Sequence, residues 1–148
     1  MPQVGTVTWL GIRPKRRAPL LTPDEITLDP KRGIIGDRYQ GRSGKRQVTL
    51  MQAEHLPVVA SLLGRQDISA EVFRRNILVA GINLLALKDR TVCIGTAEIE
   101  ITGACHPCSY IEDVLGAGAY NAVRGHGGVT ARVVSAGSVK LGDAIRVA

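Results

Sequence analysis

Two cysteines stand three positions apart where a predicted strand gives way to a predicted helix. Cys105-His106-Pro107-Cys108 follows residues 97–102, in which apolar and polar side chains alternate as in a β-strand. Ser109 and Glu112 have the spacing of a capping box, in which the serine hydroxyl accepts from a first-turn amide and the glutamate reaches back to the cap. Cys108 would then lie at the positive end of the helix dipole, which stabilises the thiolate that binds metals and attacks electrophiles. The sequence therefore predicts that the chemistry lies at this strand-to-helix corner.

The residues of this corner leave three interpretations open. Two unpartnered cysteines are often small buried side chains that pack a loop. A thioredoxin-like redox pair fits poorly, because only forty residues follow Cys108 and their pattern predicts strands separated by glycines, without another long helix. A zinc site needs four ligands, and Cys105, Cys108 and His126 would supply three of them without a second paired motif.

Length and composition bound the class of protein. The chain has 148 residues, enough for a core without disulfides, and we expect one domain over residues 1–148. Three cysteines and no apolar N-terminal signal segment predict a cytoplasmic protein. The apolar stretches are too short to span a bilayer, so no membrane partner is expected.

The positive charge predicts an anionic partner. The net charge is +6, and much of the basic charge falls in residues 13–17 and 31–46, which are alternatively two solvated loops. Nucleic acid as the main partner is disfavoured, because the aromatic residues are dispersed and form no stacking platform. These residues are Trp9, Tyr39, Phe73, Tyr110 and Tyr120.

Many short strands interleaved with a few short helices predict the fold class. Without a regular β-α-β alternation, a doubly wound sheet is not expected, and the pattern favours a mainly β, barrel-like fold with a few short helices. The predicted strands are residues 4–12, 26–28, 47–51, 77–79, 92–94, 97–101, 129–134 and 139–147, with helices over 54–63, 69–73 (capped by Ser69) and after Ser109.

A glycine run precedes one of the last strands. In Gly125-His126-Gly127-Gly128, successive backbone amides can point at one anion, and the neighbouring Arg124 and Arg132 add positive charge. The alternative is a plain glycine turn with a surface histidine.

Two further polar groups have a structural and a functional interpretation. Arg74-Arg75-Asn76 combines guanidinium forks, which match phosphate or carboxylate oxygens, with an amide that can bind a heterocycle edge. Either arginine can instead close an ion pair, and the asparagine can cap a turn. Asp37 and Arg38 are equally suited to an ion pair or to a ligand contact.

Five motifs in this order resemble a stand-alone MOSC domain of the compact bacterial type, the module named for the C-terminal part of molybdenum cofactor sulfurase. The resemblance covers nearly all of the chain. The motifs are Gly36-Asp37-Arg38, Arg46-Gln47-Val48, the stretch from Phe73 to Ile77, the stretch from Thr102 to Cys108, and the stretch from Asn121 to Val133.

The resemblance implies a β-barrel-like fold that binds the molybdenum cofactor, a pterin dithiolene (molybdopterin) with a terminal phosphate. A single cysteine ligates the metal in reductase members of the family, often as Pro-Cys, which matches Pro107-Cys108 here. Cys105 would then be a neighbouring or persulfide-carrying thiol. The residues expected to bind the cofactor are Arg38, Arg74, Arg75, Asn76, Arg124, Gly125, His126, Gly127 and Gly128.

The resemblance implies two functions from different classes. One is a molybdenum-dependent reductase that acts on small N-hydroxylated compounds and takes its electrons from a separate donor protein. The other is a carrier that delivers molybdenum cofactor or sulfane sulfur to a client molybdoenzyme. A basic β-barrel that binds nucleic acid is a weaker third possibility, with salt-dependent binding as its signature.

Overall fold

The computed structural model describes residues 4–15, 18–38, 44–105 and 109–148. Within these residues the chain is mainly β, with ten strands and three short α-helices. The strands are β1 (Val4–Leu10), β2 (Glu25–Asp29), β3 (Gly33–Ile34), β4 (Val48–Gln52), β5 (Ile77–Ala80), β6 (Thr91–Ile94), β7 (Ala97–Ala104), β8 (Val129–Ser135), β9 (Gly137–Lys140) and β10 (Ala144–Val147).

Seven strands form a closed barrel in which the order of neighbours is β1-β10-β6-β7-β8-β4-β5. β1 completes the ring, because it pairs with β10 on one side and with β5 on the other. The pairs are antiparallel except for β4 and β5, which are parallel and are joined by a helical crossover. Closure leaves no exposed strand edge in this sheet. The barrel-like fold predicted from the sequence is confirmed.

Alternation of side chains along the strands builds the barrel interior. In β7, Ala97, Ile99 and Ile101 are buried, whereas Glu98 and Glu100 lie on the outer face and are only partly covered. The other barrel strands contribute aliphatic side chains in the same way, so the interior is a packed core.

A second core lies between the barrel wall and the helices. The helices are α1 (His55–Leu62), α2 (Ser109–Leu115) and α3 (Ala119–Val123), and short 3-10 helices span Ala70–Phe73 and Leu84–Leu87. Met51 of β4 and Leu78 of β5 point out of the barrel into a cluster with Val59, Phe73 and Ile111. β4 is therefore buried on both faces, which explains its nearly continuous apolar sequence.

A three-stranded sheet in the order β3-β2-β9 accompanies the barrel. The sequence predicted one strand over residues 139–147, and this is wrong. The chain turns at Gly142, where φ is +90°, and the Lys140 amide donates to the Asp143 carboxylate at 2.8 Å. Its two halves are therefore β9, which pairs with β2, and β10, which pairs with β1 and β6.

In the predicted capping box at α2, the role given to Glu112 is wrong. The helix begins at Ser109 itself, and Oε1 of Glu112 accepts the amide of Tyr120 at 2.6 Å. Glu112 therefore binds the first turn of α3, a helix that the sequence analysis did not predict. Ser69 does occupy the N-cap of the 70–73 helix, but its side chain makes no capping hydrogen bond.

The helices of the described residues are short, and none combines the length and apolar character that crossing a membrane requires.

Candidate functional site

The strand-to-helix corner lies between β7 and α2. β7 ends at Ala104 and α2 begins at Ser109, so both elements predicted to flank the corner are present. Cys105 is buried, with 6% of its surface exposed, and its amide donates to the carbonyl of Gly128 at 2.8 Å. Cys108, the predicted metal ligand, lies outside the described residues together with His106 and Pro107.

The glycine run 125–128 packs against this corner at van der Waals limits. A Cβ on Gly127 would lie 2.6 Å from the Cys105 carbonyl oxygen. A Cβ on Gly128 would overlap the Leu50 carbonyl oxygen, and φ at Gly128 is +94°. Only glycine permits this approach of three backbone segments.

The turn keeps backbone donors available. Among the described residues, no acceptor is in hydrogen-bonding geometry with the amides of Gly125, Gly127 or Gly128. Gly127 is nevertheless buried, and a buried amide without an acceptor is costly unless a ligand or solvent binds it. This arrangement suits the anion-binding interpretation of the glycine run.

Arg75 holds the turn in place from the other side. Its Nε donates to the carbonyl of Gly127 at 2.8 Å, and its Nη1 donates to the carbonyl of Phe73 at 2.8 Å. The side chain is half-buried. The structure thus brings Arg75, the glycine run and Cys105 together.

Arg74 contacts a different segment of the chain. It has a left-handed backbone, with φ of 53°, and its guanidinium donates to the carbonyls of Ala18 and Lys15 at 2.5 and 3.1 Å. Arg74 braces the basic loop after β1, while Arg75 braces the glycine turn.

Asn76 is fully buried within a polar network behind the site. Its Nδ2 donates to Asp37 and to the carbonyl of Gly11, both at 3.1 Å. Its Oδ1 accepts the amide and the hydroxyl of Thr49, both at 3.1 Å. The amide group therefore has no donor left for a ligand, and its bonds join β1, β4 and β5.

Asp37 is the charged member of this network. Its carboxylate lies 2.9 Å from Nη2 of Arg13, and both side chains are shielded from solvent, with exposures of 0% and 11%. The ion-pair interpretation of Asp37 is therefore the one that the structure supports, with Arg13 as the partner. Sequence analysis named Arg13 only within a basic run, and Thr49 gave no signal.

Arg38 and Arg124 are exposed. The Arg38 amide donates to the Arg13 carbonyl at 2.6 Å, which places it beside the basic loop. Arg124 follows α3 directly and precedes the glycine run. Arg132, which the sequence placed near that run, instead pairs with Glu100 at 2.7 Å on the barrel surface.

His126 contacts a residue that sequence analysis did not single out. Its ring and that of His55, the first residue of α1, are edge to face with centroids 5.1 Å apart. The Nδ1 atoms of both rings are buried, and within the part of the chain that the structure describes neither has a hydrogen-bond partner. Burial, followed by repulsion from His126, lowers the pKa of His55 below its usual value. The fold therefore favours the neutral form of His55.

The described residues contain no cluster of three or more histidine, cysteine or acidic side chains arranged to hold a metal ion. A ligand set drawn only from residues 4–15, 18–38, 44–105 and 109–148 therefore does not form a zinc site of the usual kind.

The barrel and the order of these site elements along the chain agree with a family of known proteins. The family model of the MOSC domain matches residues 29–146, and the chain belongs to the MOSC family. No curated protein matches the chain significantly.

Solved structures share the fold. YuaD from Bacillus subtilis superposes with a TM-score of 0.86 at 22% identity, over 99% of this chain and 97% of YuaD. YiiM from Geobacillus stearothermophilus gives 0.74 at 18% identity, over 97% of this chain and 75% of that one. YiiM from Escherichia coli gives 0.73 at 17% identity, over 100% of this chain and 70% of that one.

Proposed function

We propose that this protein binds the molybdenum cofactor at the strand-to-helix corner and reduces N-hydroxylated compounds, with Cys108 as the metal ligand. The observation that carries the proposal is the junction of Cys105, Arg75 and the glycine run. Among the described residues, the glycine amides of the run have no acceptor, and the run contacts Cys105, three positions before Cys108, in a chain of the MOSC family.

The donors at this junction fit the phosphate end of such a cofactor. Amide groups of a glycine turn bind phosphate oxygens without a side chain intervening, and the exposed Arg124 adjoins them. Arg75 donates to the Gly127 carbonyl, which holds the backbone of the turn in place.

A cysteine thiolate fits the metal end. Thiolate is a soft ligand suited to a sulfur-rich metal centre, and hard oxygen ligands would select other ions. When bound, the cofactor supplies a metal centre that accepts and donates electron pairs. The chain's own residues then bind the phosphate, supply the thiolate and hold the backbone of the corner rigid.

The overall reaction is balanced by two electrons and two protons. Cleavage of the N–O bond in R–NH–OH gives the amine R–NH2 and water, with both protons drawn from solvent. The electrons come from a donor protein or, in an assay, from a reduced viologen dye.

Burial of Cys105 weighs against the carrier function through that thiol. Sulfur transfer requires an acceptor to reach the persulfide, and only 6% of Cys105 is exposed. A carrier would therefore have to use Cys108. Cys105 fits better as a packing residue whose amide anchors Gly128.

A viologen-driven assay separates the two functions. Cofactor-loaded protein and reduced viologen should convert an amidoxime or a hydroxylamine to the corresponding amidine or amine. Loaded protein that stays inert across such substrates, yet restores activity to an apo-molybdoenzyme, would establish the carrier instead.

A further inference from the structure

The net positive charge of this protein comes from one stretch of sequence. Residues 13–46 contain ten Lys and Arg and four Asp and Glu, a net charge of +6. The remaining residues contain nine of each sign, so they are neutral overall. The net charge of the whole chain, +6, thus comes from less than a quarter of the sequence.

Among the described residues, most cations of this stretch are exposed, whereas half of its four acids are engaged in charge pairs. Asp37 is buried against Arg13, and Glu25 lies 3.7 Å from Lys140, which belongs to another part of the chain. Six exposed cations of the described residues form what we call the basic face: Lys15, Lys31, Arg32, Arg38, Lys45 and Arg46.

Backbone contacts join the segments of the basic face. The Arg38 amide bonds to the Arg13 carbonyl at 2.6 Å, which links the second segment to the loop that carries Lys15. The side chain of Gln47 donates to the carbonyl of Pro30 at 2.8 Å, which links the segment of Lys45 and Arg46 to that of Lys31 and Arg32.

The basic face borders the candidate site. Arg74, next to Arg75, donates to the carbonyl of Lys15. The hydroxyl of Thr102 donates to the carbonyl of Lys45 at 2.5 Å, and Thr102 lies in β7, three residues before Cys105. A molecule bound to the basic face would therefore lie beside the strand-to-helix corner.

We infer that the basic face docks an acidic electron-donor protein, an inference that rests on the proposed reductase function. Each turnover of that reaction consumes two electrons, so a donor has to approach the site repeatedly and leave again. Electron-transfer encounters use small interfaces, below about 1,200 Å², and complementary charge steers them. The charge on this face has the sign and the position that such an encounter requires.

A protein donor fits this face better than a nucleic acid does. Of the described aromatic side chains, Trp9 and Phe73 pack in the core beneath the helices, and Tyr110 and Tyr120 belong to α2 and α3. The described residues of the basic face include no aromatic side chain, and aromatic stacking is the usual companion of charge in single-strand binding.

The test compares two variants with the same net charge. In the first, Lys15, Lys31 and Arg32 are replaced by Glu; in the control, Lys88, Arg90 and Arg146, exposed residues outside the stretch, are replaced by Glu. Reduced flavodoxin, an acidic redox protein, serves as the donor, and reduced viologen serves as a small donor that needs no docking.

We expect the flavodoxin-driven kcat/KM of the first variant to fall at least about tenfold at low salt, with loss of its salt dependence. The viologen-driven rate should be unchanged, and the control variant should stay within about twofold of wild type. Equal losses in both variants, or none in either, would contradict the inference.

Binding of oxidised flavodoxin to the unloaded protein, measured by calorimetry, keeps this result separate from the reductase proposal. Weaker binding by the first variant supports the docking face even if no reduction occurs, in which case only the reductase proposal fails. If wild type binds a single-stranded 20-nucleotide DNA more tightly than it binds flavodoxin, and in a salt-dependent way, the inference is overturned in favour of nucleic acid.

Discussion

The guanidinium of Arg75 ties two backbone segments together, because it donates to the carbonyls of both Gly127 and Phe73. The sequence suggested that Arg75 is available for a ligand phosphate. Its bonds within the protein instead make it the side chain that positions the glycine turn. Arg124, which is exposed at the end of α3, has no such bond among those of the described chain.

These environments predict different outcomes for Arg75→Ala and Arg124→Ala. Loss of a charged hydrogen bond costs about 1.5–3 kcal/mol, so Arg75→Ala should lower both the unfolding midpoint of the unloaded protein and its cofactor affinity. Arg124→Ala should weaken cofactor binding by roughly tenfold to a hundredfold and leave the midpoint unchanged. Thermal unfolding and pterin titration measure the two quantities. If Arg124→Ala binds the cofactor as wild type does, Arg124 makes no phosphate contact.

Cys105 and Asn76 show what residue types alone can and cannot predict about a site. The sequence placed Cys105 at the corner, and the structure finds it there. It also suggested Asn76 as a ligand residue, but the side chain is saturated by Gly11, Thr49 and Asp37. Those partners are distant in sequence, so no local pattern reveals them. A polar residue before a buried strand has the same sequence signature in either role.

The glycine run acts as a structural unit with β4 and β7. Gly128 approaches the Leu50 carbonyl so closely that any side chain would collide with backbone, whereas Gly125 has open space around its α-carbon. Both have positive φ, at +94° and +82°. Alanine substitutions at these two positions therefore distinguish the cost of backbone strain alone from the cost of strain combined with steric collision.

Gly125→Ala should cost about 1–2 kcal/mol of stability, the cost of a left-handed backbone for a residue with a Cβ. Gly128→Ala carries the same strain plus the overlap with Leu50, so its unfolding midpoint in urea should be much lower. Equal midpoints would show that the turn relaxes freely and that its close packing is not required.

His55, the first residue of α1, contacts His126 of the glycine run. Because its pKa is lowered in the folded protein, the unfolded chain binds a proton more readily at this position. The free energy of unfolding should therefore fall as the pH decreases below 6.5, the usual pKa of histidine. This loss of stability ends once the pH is below the pKa of His55 in the folded protein. His126 opposes protonation, whereas Glu54, beside His55, favours it.

His55→Gln should reduce this dependence. Between about pH 7 and about pH 5, the thermal midpoint of wild type should fall more steeply than that of the variant, since the carboxylates titrate alike in both. Parallel curves would show that His55 is not held neutral by the fold.

Local patterns predicted most of the barrel strands but not their partners. The alternation in β7 and the hairpin at Gly95 are visible in residues 91–104, and both are present. The pairing of β1 with β5, and the division of residues 137–147 between two sheets, depend on long-range packing. α3 was missed because its five residues lie in an Ala- and Gly-rich stretch, where the Glu112 contact stabilises the helix.

Across the whole molecule, the cofactor site and the basic face lie side by side. The barrel strand β7 leads to the corner, while the loops of residues 13–46 supply the net charge at the neighbouring surface. If the proposed reduction takes place, a donor protein docked on the basic face lies beside the proposed site.

Molybdenum content tests the central claim most directly. Wild type, Cys108→Ser and Cys93→Ser, a control at a partly exposed cysteine of β6, should be expressed in a host that makes the cofactor. Elemental analysis should find molybdenum in wild type and in Cys93→Ser and none in Cys108→Ser, because a serine hydroxyl is a poor soft-metal ligand at neutral pH. Their thermal midpoints without cofactor should agree. Equal molybdenum in Cys108→Ser and wild type would contradict the account.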